Sequence, residues 1–209
     1  MEASFWQQRW EAGQIGFHEG RANALLTRFI DRLPPGGRVL VPLCGKSEDL
    51  AFLAARGHQV IGVELVETAA AAFFAEHDTT PTITTLDGLR VYRHGAITIV
   101  VGDLFATTAA HLAAIDAIYD RAAMIALPPD LRRRYVTHLR ALAPSAPRLL
   151  IGFEYPQAAM DGPPFAVLEP EVRALHPDAT ITVLADEPAI APRLAALGLT
   201  ARERCYWIA

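Results

Sequence analysis

The polar residues of this chain that could do chemistry stand where short apolar runs end. Val39-Leu40-Val41 leads into Pro42-Leu43-Cys44-Gly45-Lys46-Ser47, and Gln59-Val60-Ile61-Gly62-Val63 ends in Glu64. Ile97 to Val101 ends in Gly102-Asp103, Ile115 to Tyr119 in Asp120-Arg121, and Arg148 to Phe153 in Glu154. A glycine turn between a strand and a helix lets the backbone approach a nucleotide-like ligand, and an acidic residue about 20 positions further on can accept hydrogen bonds from two ribose hydroxyls. Gly45 and Glu64 stand in that relation, so the ligand they point to carries a ribose.

The elements that must position these residues alternate. Helical rhythm follows the first glycine turn from Ser47 to Ala55, with Gly57 closing the helix, and recurs over Glu67 to Glu76 and over Pro129 to Leu142. Ser4 to Glu11 reads as a short amphipathic helix, and Asn23 caps a helix that runs to about Arg32 before Pro34-Pro35-Gly36-Gly37 stops it. Thr82 to Leu86 and Arg90 to Arg93, joined at Asp87-Gly88, read as an antiparallel hairpin inserted before the strand Ile97 to Val101. Thr180 to Leu184 and Ala201 to Ile208 are the last two strands, with a short helix over Pro192 to Leu197 between them. Alternating strands and helices predict an α/β fold, a doubly wound and mostly parallel sheet covered on both faces. Ligands of such sheets bind beyond the carboxyl ends of the strands, where the five polar ends lie. One domain over 1–209 is expected, with lid helices over 1–33 and the hairpin over 82–95.

Three ligand classes are compatible with a glycine turn. A phosphate-binding loop needs a glycine five residues before Gly45, where Leu40 stands, and Pro42 removes a backbone N–H from the would-be cradle. A dinucleotide fingerprint needs three glycines within six residues, and only Gly45 is present. S-adenosylmethionine carries a ribose and an adenine but no phosphate, so one glycine suffices where the backbone meets its amino-acid part. Glu64 would then take the ribose hydroxyls and Asp103 the adenine amino group.

Composition bounds the remainder. With 52% hydrophobic and 20% charged residues among 209, a sizeable core is expected and disorder is not. The net charge is −4 and the longest basic cluster is Arg132-Arg133-Arg134, read as a solvated helix face, so nucleic acid is not expected as a partner. Two cysteines give neither a disulfide framework nor a metal-ligand spacing; Cys44 is read as a small turn residue. No apolar run is long enough to span a bilayer and no signal peptide is read, so a cytoplasmic, membrane-free protein is expected, and a monomer because no long exposed apolar helix stands out. Lys46, the single lysine, is expected to pair with Glu48 or Asp49 or to reach the cofactor's carboxylate, and the histidines at 58, 77, 94, 111, 138 and 176 are expected at the surface or in turns.

Trp6-Gln7-Gln8-Arg9-Trp10, Gly16-Phe17-His18, the segments Val41 to Ser47 and Gly57 to Glu64, Asp120-Arg121-Ala122-Ala123 and Pro163-Pro164-Phe165 together resemble the thiopurine S-methyltransferase family. The motifs occur in family order over most of the chain. The resemblance implies a seven-stranded class I methyltransferase that uses S-adenosylmethionine to methylate aromatic and heterocyclic thiols, a small-molecule acceptor class. For bacterial members it also implies methylation of selenium and tellurium compounds. It implies that Trp10, Leu43, Glu64 and Arg121 contact S-adenosylmethionine, that Gly102 and Asp103 lie beside the adenine, and that Phe17 touches the acceptor. Trp6, Trp10 and Phe17 would form an aromatic lid whose faces suit a sulfonium cation. Arg121 would hold an anionic acceptor or the charge developing at the thiol, and His18 would relay a proton. The family often carries Gly after Asp-Arg; Ala122 stands there in this chain, which would narrow the acceptor pocket slightly. A cofactor-binding protein of the same fold without turnover is the alternative.

Overall fold

A computed structural model describes residues 3–14 and 18–209 and divides them into two compact units, up to Ile118 and from Tyr119 onward. In the first unit, helix α1 spans Ala3–Glu11 and α2 spans Ala24–Phe29, followed by a 3-10 turn at Ile30–Arg32. Strand β1 (Arg38–Pro42), helix α3 (Glu48–Ala55), strand β2 (Gln59–Glu64) and helix α4 (Glu67–Glu76) form the first βαβα run. Strands β3 (Thr82–Leu86), β4 (Leu89–His94) and β5 (Ile97–Val101) follow, then helix α5 (Ala109–Leu112) and the start of β6 (Ala117–Arg121). β1 pairs in parallel with β2 and with β6, and β2 with β5. The hairpin continues this sheet: β4 runs antiparallel to β5 and β3 antiparallel to β4. The seven expected strands and the two of the hairpin therefore account for all nine hydrogen-bonded strands among the described residues.

Local chemistry explains the boundaries. The Asn23 side chain accepts from the Leu25 and Leu26 N–H groups at 2.9 and 3.3 Å, and Ser47 caps α3 by accepting from Asp49 N at 3.2 Å. Asp49 in turn accepts from Asn23 N at 2.7 Å, so the two helix starts are tied to each other. β6 begins two residues later than its apolar run predicts. Ala113 turns the chain at φ 57°, and Asp116 is held against Arg38 by two bonds, Arg38 N donating to the Asp116 carboxylate Oδ2 at 2.7 Å and Asp116 N to Arg38 O at 2.9 Å.

In the second unit the remainder of β6 neighbours β7 (Arg148–Glu154), β7 pairs antiparallel with β9 (Ala201–Ile208), and β9 with β8 (Ile181–Ala189). Helix α6 spans Pro129–Leu142 and α8 spans Pro192–Ala195. Helix α7, Glu169–Leu175, is an element that periodicity alone did not single out, although Pro170 near its start and Glu169 and Glu171 in its first turn are start signals.

Several side chains lie elsewhere than expected. Arg132 is wholly buried, because the α6 period places 132, 135, 136 and 139 on one inward stripe. Its Nε donates to Leu127 O at 3.0 Å and its Nη1 to Glu171 Oε2 at 2.5 Å. His58 and His176 are buried rather than superficial, each with a ring nitrogen bonded to a backbone carbonyl, Gly37 O and Val172 O respectively. Lys46 pairs with Glu76 at 2.5 Å, while Glu48 meets His77 instead.

Candidate active site

The turn after β1 bends through two residues of positive φ, Leu43 at 48° and Gly45 at 54°. Glycine accepts that conformation freely; for leucine it costs about 1–2 kcal/mol. What holds the turn is Glu64, at the end of the neighbouring strand. Its Oε2 accepts from Gly45 N at 2.7 Å and its Oε1 from Val66 N at 2.8 Å, while its backbone carbonyl accepts from Gly102 N at 2.8 Å. One residue thus ties together the ends of β1, β2 and β5. Glu64 is only 5% exposed. Burial pushes its carboxyl pKa up, and the N–H groups of Val66, Gly45 and Leu65 pull it back. Each carboxylate oxygen has two acceptor positions, so these backbone donors leave the group further capacity to accept a hydroxyl. Asp103, one residue past Gly102, is exposed and caps the following 3-10 turn by accepting from Phe105 N at 2.9 Å.

Cys44 is buried in the same turn, with its Sγ against the face of Gly62 on β2. A Cβ at position 62 would stand 2.6 Å from that sulfur. Gly62→Ala should therefore cost about 1–3 kcal/mol by overpacking. Cys44→Ala, which leaves the nearest carbon at 3.4 Å, should recover most of it in the double variant. Urea midpoints of the four proteins check this; additive losses would refute it. Burial and the Glu64 charge raise the Cys44 thiol pKa well above its usual value, which makes it a packing residue and not a nucleophile.

The predicted lid residues fall on α1 and the segment after it. Trp6 and Trp10 are half-buried; Trp6 meets Phe5 edge-on at 5.3 Å, and the Arg9 guanidinium lies over the Phe5 ring at 4.9 Å. His18 is half-buried, and Phe17 lies outside the described residues.

In the second unit Arg121 is half-buried at the end of β6, and Ala122 after it has φ 60°. Asp120, just before, is completely buried. Its Oδ2 accepts from Tyr135 Oη at 2.8 Å and lies 3.8 Å from Arg148 Nη1; its Oδ1 accepts from Met124 N at 3.2 Å. Arg148 Nη1 also donates to His176 Nε2 at 3.2 Å, and His176 Nδ1–H donates to Val172 O at 2.9 Å. That chain fixes a neutral tautomer. Burial first, and Arg148 second, lower the His176 pKa from 6.5 to about 4. The unfolded chain therefore takes up a proton that the folded one refuses. Stability is retained above the unfolded pKa near 6.5 and lost as pH falls toward about 4. About 2–3 kcal/mol should disappear across that window. His176→Gln, which can accept from Arg148 and donate to Val172 O, should show a flatter pH dependence in chemical unfolding. Parallel curves would contradict it. Glu154 is likewise structural, since its Oε1 accepts from Glu169 N at 3.1 Å, from Tyr206 Oη at 3.2 Å and from Arg204 Nη1 at 3.1 Å.

Of the five polar strand ends, the Gly45 turn, Glu64 and Gly102 are gathered around one carboxylate, whereas Asp120 and Glu154 are spent on internal bonds. The profile of the family described as thiopurine S-methyltransferase matches residues 1–208. The chain belongs to the thiopurine S-methyltransferase family. A thiopurine S-methyltransferase of Pseudomonas aeruginosa (strain LESB58) is 53% identical over 179 residues, covering 84% of this chain and 82% of that one. One from Xanthobacter autotrophicus is 48% identical over 179 residues, 84% of each. A Burkholderia thailandensis 1,6-didemethyltoxoflavin-N1-methyltransferase, solved with its substrate and S-adenosylhomocysteine, superposes with a TM-score of 0.63 at 21% identity over 99% of this chain and 86% of that one. A methyltransferase of Anabaena variabilis gives 0.67 at 17% identity over 99% and 93%. These two show the fold. As a thiopurine S-methyltransferase family member the chain is an S-adenosylmethionine-dependent methyltransferase. The Glu64 site fits that cofactor: it offers a strand-end carboxylate for hydroxyls and, at Pro42, no cradle for phosphate. Sequence reasoning missed Tyr135 and Arg148, whose only signal is a polar residue on an inward helix stripe and at the start of an apolar strand, and it placed His176, which follows α7, at the surface or in a turn.

Proposed function

We propose that this enzyme methylates the sulfur of small aromatic or heterocyclic thiols, with related selenium and tellurium compounds as further acceptors. The observation that carries the cofactor half is the Glu64 carboxylate, fixed by two backbone N–H groups and left with acceptor positions for a ribose. The cofactor, when bound, supplies an electrophilic methyl for in-line displacement by an incoming nucleophile. Glu64 orients the ribose, Leu43 and Gly45 bring backbone to the amino-acid part, and Gly102 and Asp103 flank the adenine. Trp6, Trp10 and Phe17 exclude water and present aromatic faces to positive charge. Arg121 attracts a thiolate or its ring-nitrogen equivalent and stabilises it in the attacking form. A thiolate is already nucleophilic, so positioning supplies most of the rate, and His18 needs only to accept a proton from acceptors that arrive neutral. The names of the Pseudomonas and Xanthobacter relatives support the thiol acceptor.

The test is S-adenosylhomocysteine formation from S-adenosylmethionine with 6-mercaptopurine, and then with selenite and tellurite. Thiol-dependent product establishes the S-methyltransferase. Tight cofactor binding without thiol-dependent product overturns the acceptor class and leaves the cofactor site standing.

A further inference from the structure

We propose that Tyr135, Arg148 and His176 are positioning residues for Arg121, acting through Asp120; the inference rests on the assignment of Arg121 to the acceptor. Ala122, immediately after Arg121, sits at φ 60°, a conformation that L side chains adopt only when the surroundings impose it. The imposing group is Asp120. Its Oδ1 reaches forward over the turn to Met124 N, closing the loop that contains Arg121 and Ala122. Its Oδ2 is pinned from α6 by Tyr135 and from β7 by Arg148. Arg148 is itself pinned by His176, which follows α7 and is anchored on Val172 O. The four side chains are all at most 6% exposed, so water does not substitute for any link. Phe165 N donates to Ile125 O at 2.7 Å, so the Gly162–Phe165 loop is attached to the same turn. Two elements thus meet one carboxylate oxygen, and a third supports them through Arg148, while the remaining oxygen fixes the backbone on which Arg121 stands. A carboxylate kept only to satisfy Arg148 would have no need to bridge to Met124.

Tyr135→Phe removes one hydroxyl and little volume. At 25 °C and saturating cofactor, kcat/KM for 6-mercaptopurine should fall about tenfold, more than S-adenosylhomocysteine affinity does. Amide exchange of a peptide covering 121–125 should quicken. Adding Ala122→Gly should restore both toward wild type, because glycine adopts the positive φ without the steric cost that alanine bears. Global loss of stability would not show that rescue well below the melting temperature. Unchanged exchange over 121–125 in folded Tyr135→Phe overturns the proposal, and so does faster exchange with unchanged kcat/KM. His176→Leu, which strips Arg148 of its acceptor at the far end of the chain, should give the same pattern at smaller amplitude and replaces Tyr135→Phe should that variant not fold. Wild-type enzyme inactive on thiols would sink the acceptor assignment, and exchange with its glycine rescue would then decide the lock by itself.

Discussion

Arg148→Met should cost about 3–5 kcal/mol, the largest loss expected of any single substitution outside the apolar core. Arg148 is 4% exposed and faces a completely buried Asp120, so its removal leaves a carboxylate with only the Tyr135 hydroxyl and the Met124 N–H to compensate it. It also leaves His176 Nε2 without its donor. Burial already raises the Asp120 pKa, with Arg148 the first opposing influence, so the variant's carboxyl must rise further. The sign of the pH dependence follows. A group whose folded pKa is raised keeps its stability below the unfolded value, near 3.9, and loses it as pH rises. The gap between variant and wild type should be smaller at pH 4.5 than at pH 7.5, and denaturant midpoints at those two values measure it. A gap that does not widen as pH rises would mean that Asp120 carries no buried charge.

Glu64→Ala should weaken S-adenosylhomocysteine binding by about 1–3 kcal/mol, or roughly 5- to 150-fold. Two losses combine. The ribose loses its acceptor, and Gly45 N and Val66 N lose theirs, so the turn carrying Leu43 at φ 48° is no longer held. Glu64→Gln separates the two effects. Its amide oxygen can accept from one backbone N–H, but its NH₂ opposes the other, so it should bind less tightly than wild type and better than Ala. Calorimetric titration of the three proteins provides the comparison. Wild-type affinity in the Ala variant would remove Glu64 from the cofactor site.

Apolar periodicity and turn residues made the strands β3, β5 and β9 and the helices α4 and α6 legible in the sequence to their end residues, because each has a strong local signal. The start of β6 was not, since it is decided by the bonds between Asp116 and Arg38, 78 positions apart. Glu64 could be found because it sits at a fixed interval after a glycine turn. Its second task, holding that turn, could not, because it is a side-chain-to-backbone contact across neighbouring parallel strands. Arg132 misled because three consecutive arginines look like a solvated face, whereas the helical period selects one of them for the interior. Ala122 was read as a matter of pocket width; the structure shows it as a matter of backbone conformation.

The outermost strands of the two units differ in how they meet other chains. β8 carries a register irregularity between Val183 and Ala185, then Asp186, Glu187 and Pro188, all of which discourage a further strand from adding. β3 has none of these. Thr82-Ile83-Thr84-Thr85-Leu86 is exposed throughout, uncharged and rich in β-branched residues. Self-association through strand addition is therefore guarded against on β8 and open on β3. A lysine in place of Thr84 would be the economical way to keep this enzyme dispersed at high concentration.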